Sequence, residues 1–357
     1  MIAVLFVALA ILTIVFIAVW AIEVRRASDM PDPGVPDAER IAIGFFANFF
    51  DALGIGSFAT TTTYFRLRKL VRDELIPGTL NVGHCLPTAT QAFIFIGVIA
   101  VEPVTLVLMI ATAVLGSWVG ATVVSRLPRR GIQVGMGIAL LVAAGFLFAK
   151  VAGIMPADQV KVGAADTALR STPSADGPVV AMLKAGTPIE LTSAGRAWSK
   201  VSAPGATPEA QAVAGYVDTA AASGIVLGVS GTKLVLGLIG SFFLGTIMPL
   251  GIGYYAPCMV LIALLGMTPT AAFPIMMGAC AFLMPVASMR FVHLRKLSLK
   301  TAVGMAIGGI FGSALAGLVV KSLPLYYVMW LVTFVIIYTG ISLLRSAARE
   351  KTRAGVA

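Results

Sequence analysis

Two glycine-rich runs, LGIGSFA (53–59) and LGIGYYA (250–256), interrupt apolar sequence, and a fresh helix start follows each. A helix break surrounded by hydrocarbon exposes backbone N–H and C=O groups. It persists only where protein or a water-filled cavity satisfies them. Ser57 stands where an N-cap belongs for the run 58–65, and Pro257 suits the first turn of the second run. Two such helix starts offer free N–H groups and partial positive charge, which together make a site for an anion. The candidate binding residues are Gly54, Gly56, Ser57 and Thr60 in the first run and Gly251, Gly253 and Tyr254 in the second, with Asn81 on the next apolar run. The other reading of these glycines is close helix packing.

Two ionisable side chains accompany the first run. Asp51 precedes the turn, and an acid at membrane depth is expensive enough to be a functional candidate by default. It can carry a coupling proton or order the turn. His84, in NVGHCLP, titrates near neutral pH or hydrogen-bonds across helices. Thr88 and Gln91 share its helix, and Thr60 to Thr63 add hydroxyls; small polar residues of this kind also glue helices together. In the second half Ser288 and Arg290 end a helix, and Arg290 reads as an interfacial topology charge. There is no HExxH and no P-loop, and His84 and His293 are the only histidines. Cys85, Cys258 and Cys280 all lie in apolar segments without metal-binding spacing. The expectation is a protein that is not an enzyme and has no catalytic residue, metal or cofactor.

The elements that hold these residues follow from composition. Hydrophobic residues are 58% of the 357 and charged residues 12%, against roughly 45–50% and about 25% in soluble domains. The apolar runs are continuous over 18 or more residues rather than alternating, so the spans are helices and not barrel strands. The net charge of +10 is no nucleic-acid signal. Segment 155–224 holds five Lys/Arg and six Asp/Glu, and the surplus sits in short loops between apolar runs. Residues 1–22 read as an uncleaved first transmembrane helix, and the proline-rich, acidic 28–40 as an aqueous linker. Apolar stretches follow at 41–65, 76–100, 104–124 and 131–151, then at 224–248, 252–266, 270–289, 301–320 and 325–344.

The two apolar blocks are copies. The glycine runs match at an offset of 197, and GSWVGATVVSRLP (116–128) matches GSALAGLVVKSLP (312–324) at 196. Pro77 and Pro87 fall opposite Pro274 and Pro285 near the same offset. Matching loops differ in charge. RLRKLVRDE (66–74) is basic where its counterpart 263–271 has no basic residue, and HLRKLSLK (293–300) is basic where 97–103 has none. RLPRR (126–130) is strongly basic, whereas its counterpart 321–325 carries only Lys321. By the positive-inside rule equivalent loops face opposite sides, which makes the halves inverted repeats of the kind found in secondary transporters. For this parity the run 41–65 must enter and leave on one side, as a re-entrant hairpin turning near the midplane; a pair of tilted full spans is the alternative. The hairpin form puts the N-terminus and the block 156–223 outside the cytoplasm and the basic tail inside. That block has short alternating strands between Gly and Pro turns and reads as a small β-barrel.

The block resembles bacterial SH3-like domains in ALRSTPS, KAGTPIEL, the strand 198–201 and the closing GYV. Such a domain binds peptide or cell-wall material or serves as a spacer; Trp198 reads as core. The membrane part, in GFFANFFDALGIGSF, PGTLNVGHCLPTATQAF and GSWVGATVVSRLP with the second copy behind it, resembles the TauE/SafE family of sulfite exporters. That resemblance implies a bacterial inner-membrane permease for small anions such as sulfite, organosulfonates or other small organic acids. The family's GxGGG is GIGSF and GIGYY here, so bulky residues replace small ones at the presumed site. The expected fold is an all-α polytopic membrane protein of two inverted repeats with broken or re-entrant helices, plus a small all-β SH3-like insert. Its parts are an N-terminal helix 1–25, a first repeat 41–152, the insert 156–223, a second repeat 224–345 and a cytoplasmic basic tail 346–357. The expected partners are a small anionic substrate, ion- or proton-coupled in its movement, the lipid bilayer and a cell-wall or peptide ligand of the insert, with no nucleic acid. The competing function is an envelope sensor or assembly scaffold.

The opposed loop charges predict that loops 66–74, 126–130 and 290–300 and the tail face the cytoplasm. A single cysteine at position 295 in a cysteine-free background should resist a membrane-impermeant thiol reagent in intact cells and react after permeabilisation. Labelling from outside would break the inverted arrangement.

Overall fold

Apolar runs this long fold as helices because a helix pairs all of its own interior backbone groups. The computed structural model describes residues 1–26, 30–54, 56–123, 129–152, 160–195, 197–204, 212–248, 254–322 and 325–354. The helices are α1 (Ile2–Arg26), α2 (Ala38–Ala52), α3 (Phe58–Arg68), α4 (Ile76–Val98), α5 (Pro103–Val123) and α6 (Arg129–Val151), then α7 (Gly231–Ile247), α8 (Tyr255–Leu264), α9 (Ala272–His293), α10 (Leu299–Ser322) and α11 (Leu325–Ala354). Among the described residues four stretches, Ile2–Arg26, Pro269–His293, Leu299–Val319 and Trp330–Ala348, are long and apolar enough to cross a membrane. Two boundaries differ from the hydropathy pattern. α7 starts at Gly231 rather than 224, because 226–229 run alongside other loops and bond to them. α11 continues through the basic tail to Ala354.

The run 41–65 is two helices. α2 has 15 residues and α3 has 11, so they span about 22 and 16 Å at 1.5 Å per residue. Both fall short of a ~30 Å hydrocarbon core. Glu39 in the first turn of α2 accepts from Tyr64 Oη (2.8 Å) and Arg68 Nε (3.0 Å) near the end of α3. The chain therefore doubles back as a helical hairpin, and its two helices are too short for the alternative of a pair of tilted full spans. α7 and α8 also run back along each other. A Cβ at Gly237 would touch Leu265, and one at Gly240 would crowd Leu261.

Close backbone approach sets how the hairpins dock. α2 packs on α10 and α5 on α7. A Cβ at Gly312 would collide with the Phe45 carbonyl oxygen, one at Gly116 with that of Phe242, and one at Gly245 with that of Ala113. Small residues let helices meet this closely where lipid offers no hydrophobic drive for association. α4 and α9, each with an internal proline (Pro87 and Pro285), pack on each other at the centre, with Phe95 and Phe273 stacked at 5.4 Å. α6 pairs with α11, and α1 lies outside against α9.

The two ends of the bundle collect different loops. At one end the Pro31 and Asp32 carbonyls accept from the N–H groups of Leu299 and Lys300 (3.0 Å each). There Ser298 donates its hydroxyl to Asp32 (2.6 Å) and its N–H to Thr79 Oγ1 (2.9 Å), and Arg40 pairs with Asp37 and donates to Thr301 (2.9 Å). At the other end Glu102 N–H donates to Leu227 O (2.8 Å), Thr268 N–H to Val226 O (2.9 Å) and Val229 N–H to Thr105 Oγ1 (3.1 Å). Glu102 also caps α5, accepting from the N–H of Thr105 (2.6 Å) and of Val104 (2.9 Å). Burial pushes the Glu102 carboxyl up, but its hydrogen bonds to Thr105 and Val104 outweigh that and hold it below the usual glutamate value. A carboxyl lowered in the fold stabilises it above the ordinary glutamate range, and the contribution is lost as pH falls through the folded value.

Between α6 and α7 the alternating segment forms a five-stranded antiparallel sheet in the order β3 (Val179–Leu183), β2 (Thr167–Arg170), β6 (Val213–Asp218), β5 (Trp198–Ala203), β4 (Glu190–Ser193). Trp198 pairs with Asp218, Ala203 with Val213 and Thr167 with Leu183. Leu169, Leu183, Leu191, Val201 and Val217 point into its own apolar core. β1 (Lys161–Val162) pairs with β7 (Ala222–Ser223), so the two chain ends of the unit lie side by side, as an inserted domain requires. Residues 156–159 of the expected insert, and 126–128 of the basic loop 126–130, lie outside the described residues.

Gly312→Leu should lower the melting temperature of the detergent-solubilised protein, since overpacking costs about 1–3 kcal/mol or more. Gly135→Leu, where a Cβ meets nothing within 4 Å, should leave it nearly unchanged. Equal melting temperatures would contradict the glycine contact.

Candidate functional site

The turn between α2 and α3 depends on glycine. Gly54 (φ +95°) and Gly56 (φ +82°) occupy the left-handed region that side chains adopt only with strain. A Cβ at Gly54 would also collide with the Met259 side chain, so the tip of the first hairpin is seated against α8 of the second.

Asp51 lies buried in the last turn of α2, and its Oδ1 accepts the Ser57 N–H at 2.7 Å. The carboxylate thus stands at the start of α3, where unpaired N–H groups and the helix dipole favour negative charge. Ser57 occupies the N-cap position, but its hydroxyl makes no capping bond. The expected serine cap is not formed; instead an aspartate six residues upstream accepts the N–H of the N-cap residue itself. Pro257 does fall in the first turn of α8.

The other oxygen of Asp51 leads to Gln91 on α4. Gln91 Nε2 is 3.2 Å from Asp51 Oδ2, 3.3 Å from Asn48 O and 3.2 Å from Ser313 Oγ on α10. Two amide hydrogens thus face three acceptors, all at long range. Its Oε1 accepts from the Tyr255 hydroxyl at 3.2 Å, which ties the start of α8 to the same cluster. Asn48 Nδ2 donates to Gly44 O (2.8 Å), which leaves Asn48 Oδ1 to accept from His84 Nδ1 (2.9 Å). That pairing assigns the His84 hydrogen to Nδ1. Among the described residues Nε2 of the fully buried ring has no partner, and the ring stacks on Phe58, the first residue of α3, at 5.5 Å. Asn48, Asp51, Ser57, His84, Gln91, Tyr255 and Ser313 are all buried. This is one polar cluster inside an apolar bundle, and both hairpins contribute to it.

The expected site residues divide accordingly. Asp51, Ser57 and His84 come together, and Gly54 and Gly56 shape the turn. Tyr254 is buried, with its hydroxyl beside Ser241 of α7; among the described residues neither these two hydroxyls nor those of Thr61 and Ser288 make a well-formed hydrogen bond. Thr60 donates to the Ser57 carbonyl (2.9 Å), and Asn81 to the Pro77 carbonyl of its own helix (2.8 Å). Asn81 is also ten residues before Gln91 on α4, about three turns away. Gly251 and Gly253 lie outside the described residues, as does the Thr63 side chain. Among the described residues no group of His, Cys, Asp or Glu is arranged to hold a metal ion. Sequence reasoning passed over Asn48, Tyr255 and Ser313. The i, i+3 spacing of Asn48 and Asp51, which puts them on one face of α2, was the available signal. Ser313 and Tyr255 carry no such signal.

No protein-family model, no curated protein and no solved structure matches this chain.

Gln91→Leu keeps the bulk but strips partners from Asp51, Ser313 and Tyr255. Each buried polar group left bare costs about 1–3 kcal/mol, so the purified variant should melt several degrees below wild type. Asn81→Leu, which loses only an own-helix bond, should stay within about 0.5 kcal/mol. Differential scanning fluorimetry in detergent compares the two, and a Gln91→Leu protein as stable as wild type would rule out the bonded cluster.

Proposed function

We propose that this chain is a secondary transporter that moves a small anion, of the sulfur oxyanion or organosulfonate class, across a bacterial inner membrane. The observation that carries this is the buried start of α3, capped by the Asp51 carboxylate at 2.7 Å and joined through Gln91 to Tyr255 of the other hairpin. A helix start turned into an apolar interior is a seat for negative charge. Broken helices whose tips meet between two halves are the usual architecture of a transporter's midplane site.

Two contacts support the inverted repeat. Gly312 meets the Phe45 carbonyl and Gly116 meets that of Phe242. Gly312 and Gly116 are 196 apart, and Phe242 and Phe45 are 197 apart, the two offsets of the repeated motifs. Repeat-related residues thus make the same contact twice, with partners exchanged between halves 41–152 and 224–345. The polar cluster is not duplicated. At an offset of 197 Asn48 becomes Gly245, Asp51 becomes Met248, His84 becomes Ala281 and Gln91 becomes Ser288. Substrate and coupling proton would therefore be handled by one centre, built mainly from the first repeat. The gathering of 30–40, 79 and 293–301 at one end of the bundle, opposite the sheet, supports a cytoplasmic basic end and an extracytoplasmic SH3-like insert.

A second reading, an envelope sensor or assembly scaffold, draws on the sheet. A groove of about 320 Å³ there is lined by Asp166, Arg170, Trp198 and Asp218, a mixed-charge surface around an aromatic ring suited to peptide or cell-wall material. Trp198 lines this groove instead of being core, as the sequence suggested.

Proteoliposomes presented with sulfite, thiosulfate, sulfonates and small carboxylates separate the two readings. The transport reading expects saturable uptake of a sulfur-containing anion, inhibited by its close analogues. Uptake no greater than in empty liposomes across the panel, by protein that is monodisperse, would favour the sensor.

A further inference from the structure

Resting on that transport reading, we propose that Asp51 is a resident anion. Its carboxylate occupies the seat at the start of α3 that the transported anion must take, and it yields the seat only when it carries a proton. One proton then accompanies each anion.

The geometry carries this in three steps. First, the Ser57 N–H already donates to Asp51 Oδ1 at 2.7 Å, so the binding position at this helix start is filled from within the chain. Second, the groups around Asp51 among the described residues, the Ser57 N–H and the Gln91 amide bonded to it and the Ser57 and Tyr255 hydroxyls beside it, carry no formal charge. An ionised Asp51 and a second anion at the same helix start would repel each other in a poorly screened interior. The titratable groups around it are His84 on α4, reached through Asn48, Tyr255 on α8 and Cys280 on α9. None of these is a permanent cation. Third, His84 Nε2 is buried and, among the described residues, unpaired, in a ring stacked on Phe58, next to Ser57. With Nδ1 donating to Asn48, Nε2 is left as a buried acceptor beside the start of α3, without a donor among the described residues.

The step balances simply. Asp51 takes a proton from water on the side of higher proton activity and becomes a neutral acid. The bond from Ser57 loses its charge assistance and weakens. The anion then accepts that N–H, and after the hairpins reopen on the other side anion and proton are both released to water.

The test uses the full chain in proteoliposomes with thiosulfate and methanesulfonate, which keep their charge from mildly acidic to mildly alkaline pH. Initial uptake is read against pH, with a trapped pH dye reporting proton flux. Above its transition wild-type uptake should fall about tenfold per pH unit, the slope for one bound proton, and proton entry should match anion entry. Asp51→Asn should show neither the slope nor the proton flux and carry out pH-independent exchange. Asp51→Glu should keep the slope with a displaced midpoint, which holds the test open if the Asn variant does not fold. Wild-type uptake without proton flux overturns this proposal and leaves the transport reading standing. An unchanged slope in folded Asp51→Asn does the same and would point to His84, and so does loss of uptake at every pH. No wild-type uptake of either probe overturns both.

Discussion

A single buried N–H group organises the centre of this molecule. When α2 stops at Ala52 and α3 starts at Phe58, the backbone of the new helix begins inside protein, away from water. A donor left bare there costs as much as a lost hydrogen bond. Asp51 meets that need, but its burial creates a new one, because a carboxylate in an apolar interior needs donors of its own. Gln91 answers through Nε2, and its remaining acceptor brings in Tyr255. The site is a chain of such obligations that ends in the other hairpin.

That chain closes only because the helices come very near one another. Asn48 lies against α10 at Gly309, where any Cβ would collide with its amide nitrogen, and α2 crosses α10 at Gly308 and Gly312. The same crossing sets Ser313 beside Gln91. Packing and chemistry are thus coupled. The glycines that let two backbones touch also decide which polar side chains can reach each other, so a residue that only packs is indirectly part of the site.

Two close crossings serve different ends. Asn48, at the crossing of α2 with α10, carries an amide that reaches His84, whereas Gly245, where α7 meets α5, only packs closely on the Ala113 carbonyl.

Much of this was legible before any coordinates. Hydropathy marked the helices, because spanning hydrocarbon leaves the backbone no other choice, and alternation marked the sheet. Gly54 and Gly56 marked the turn, because few other residues accept its backbone angles, and Asp51 and His84 stood out because charge in apolar sequence is costly. The choice between a short hairpin and a pair of tilted full spans was not legible, since both have the same hydropathy; the lengths of α2 and α3, 15 and 11 residues, bear on it. Nor was the partner of the α3 start. Local rules favour the serine at the cap, whereas the fold puts the Asp51 carboxylate within 2.7 Å of its N–H. Tyr255 and Ser313 lie 164 and 222 residues from Gln91. Periodicity records which face of a helix is polar but not which distant face it will meet, and that was decided only when the helices packed.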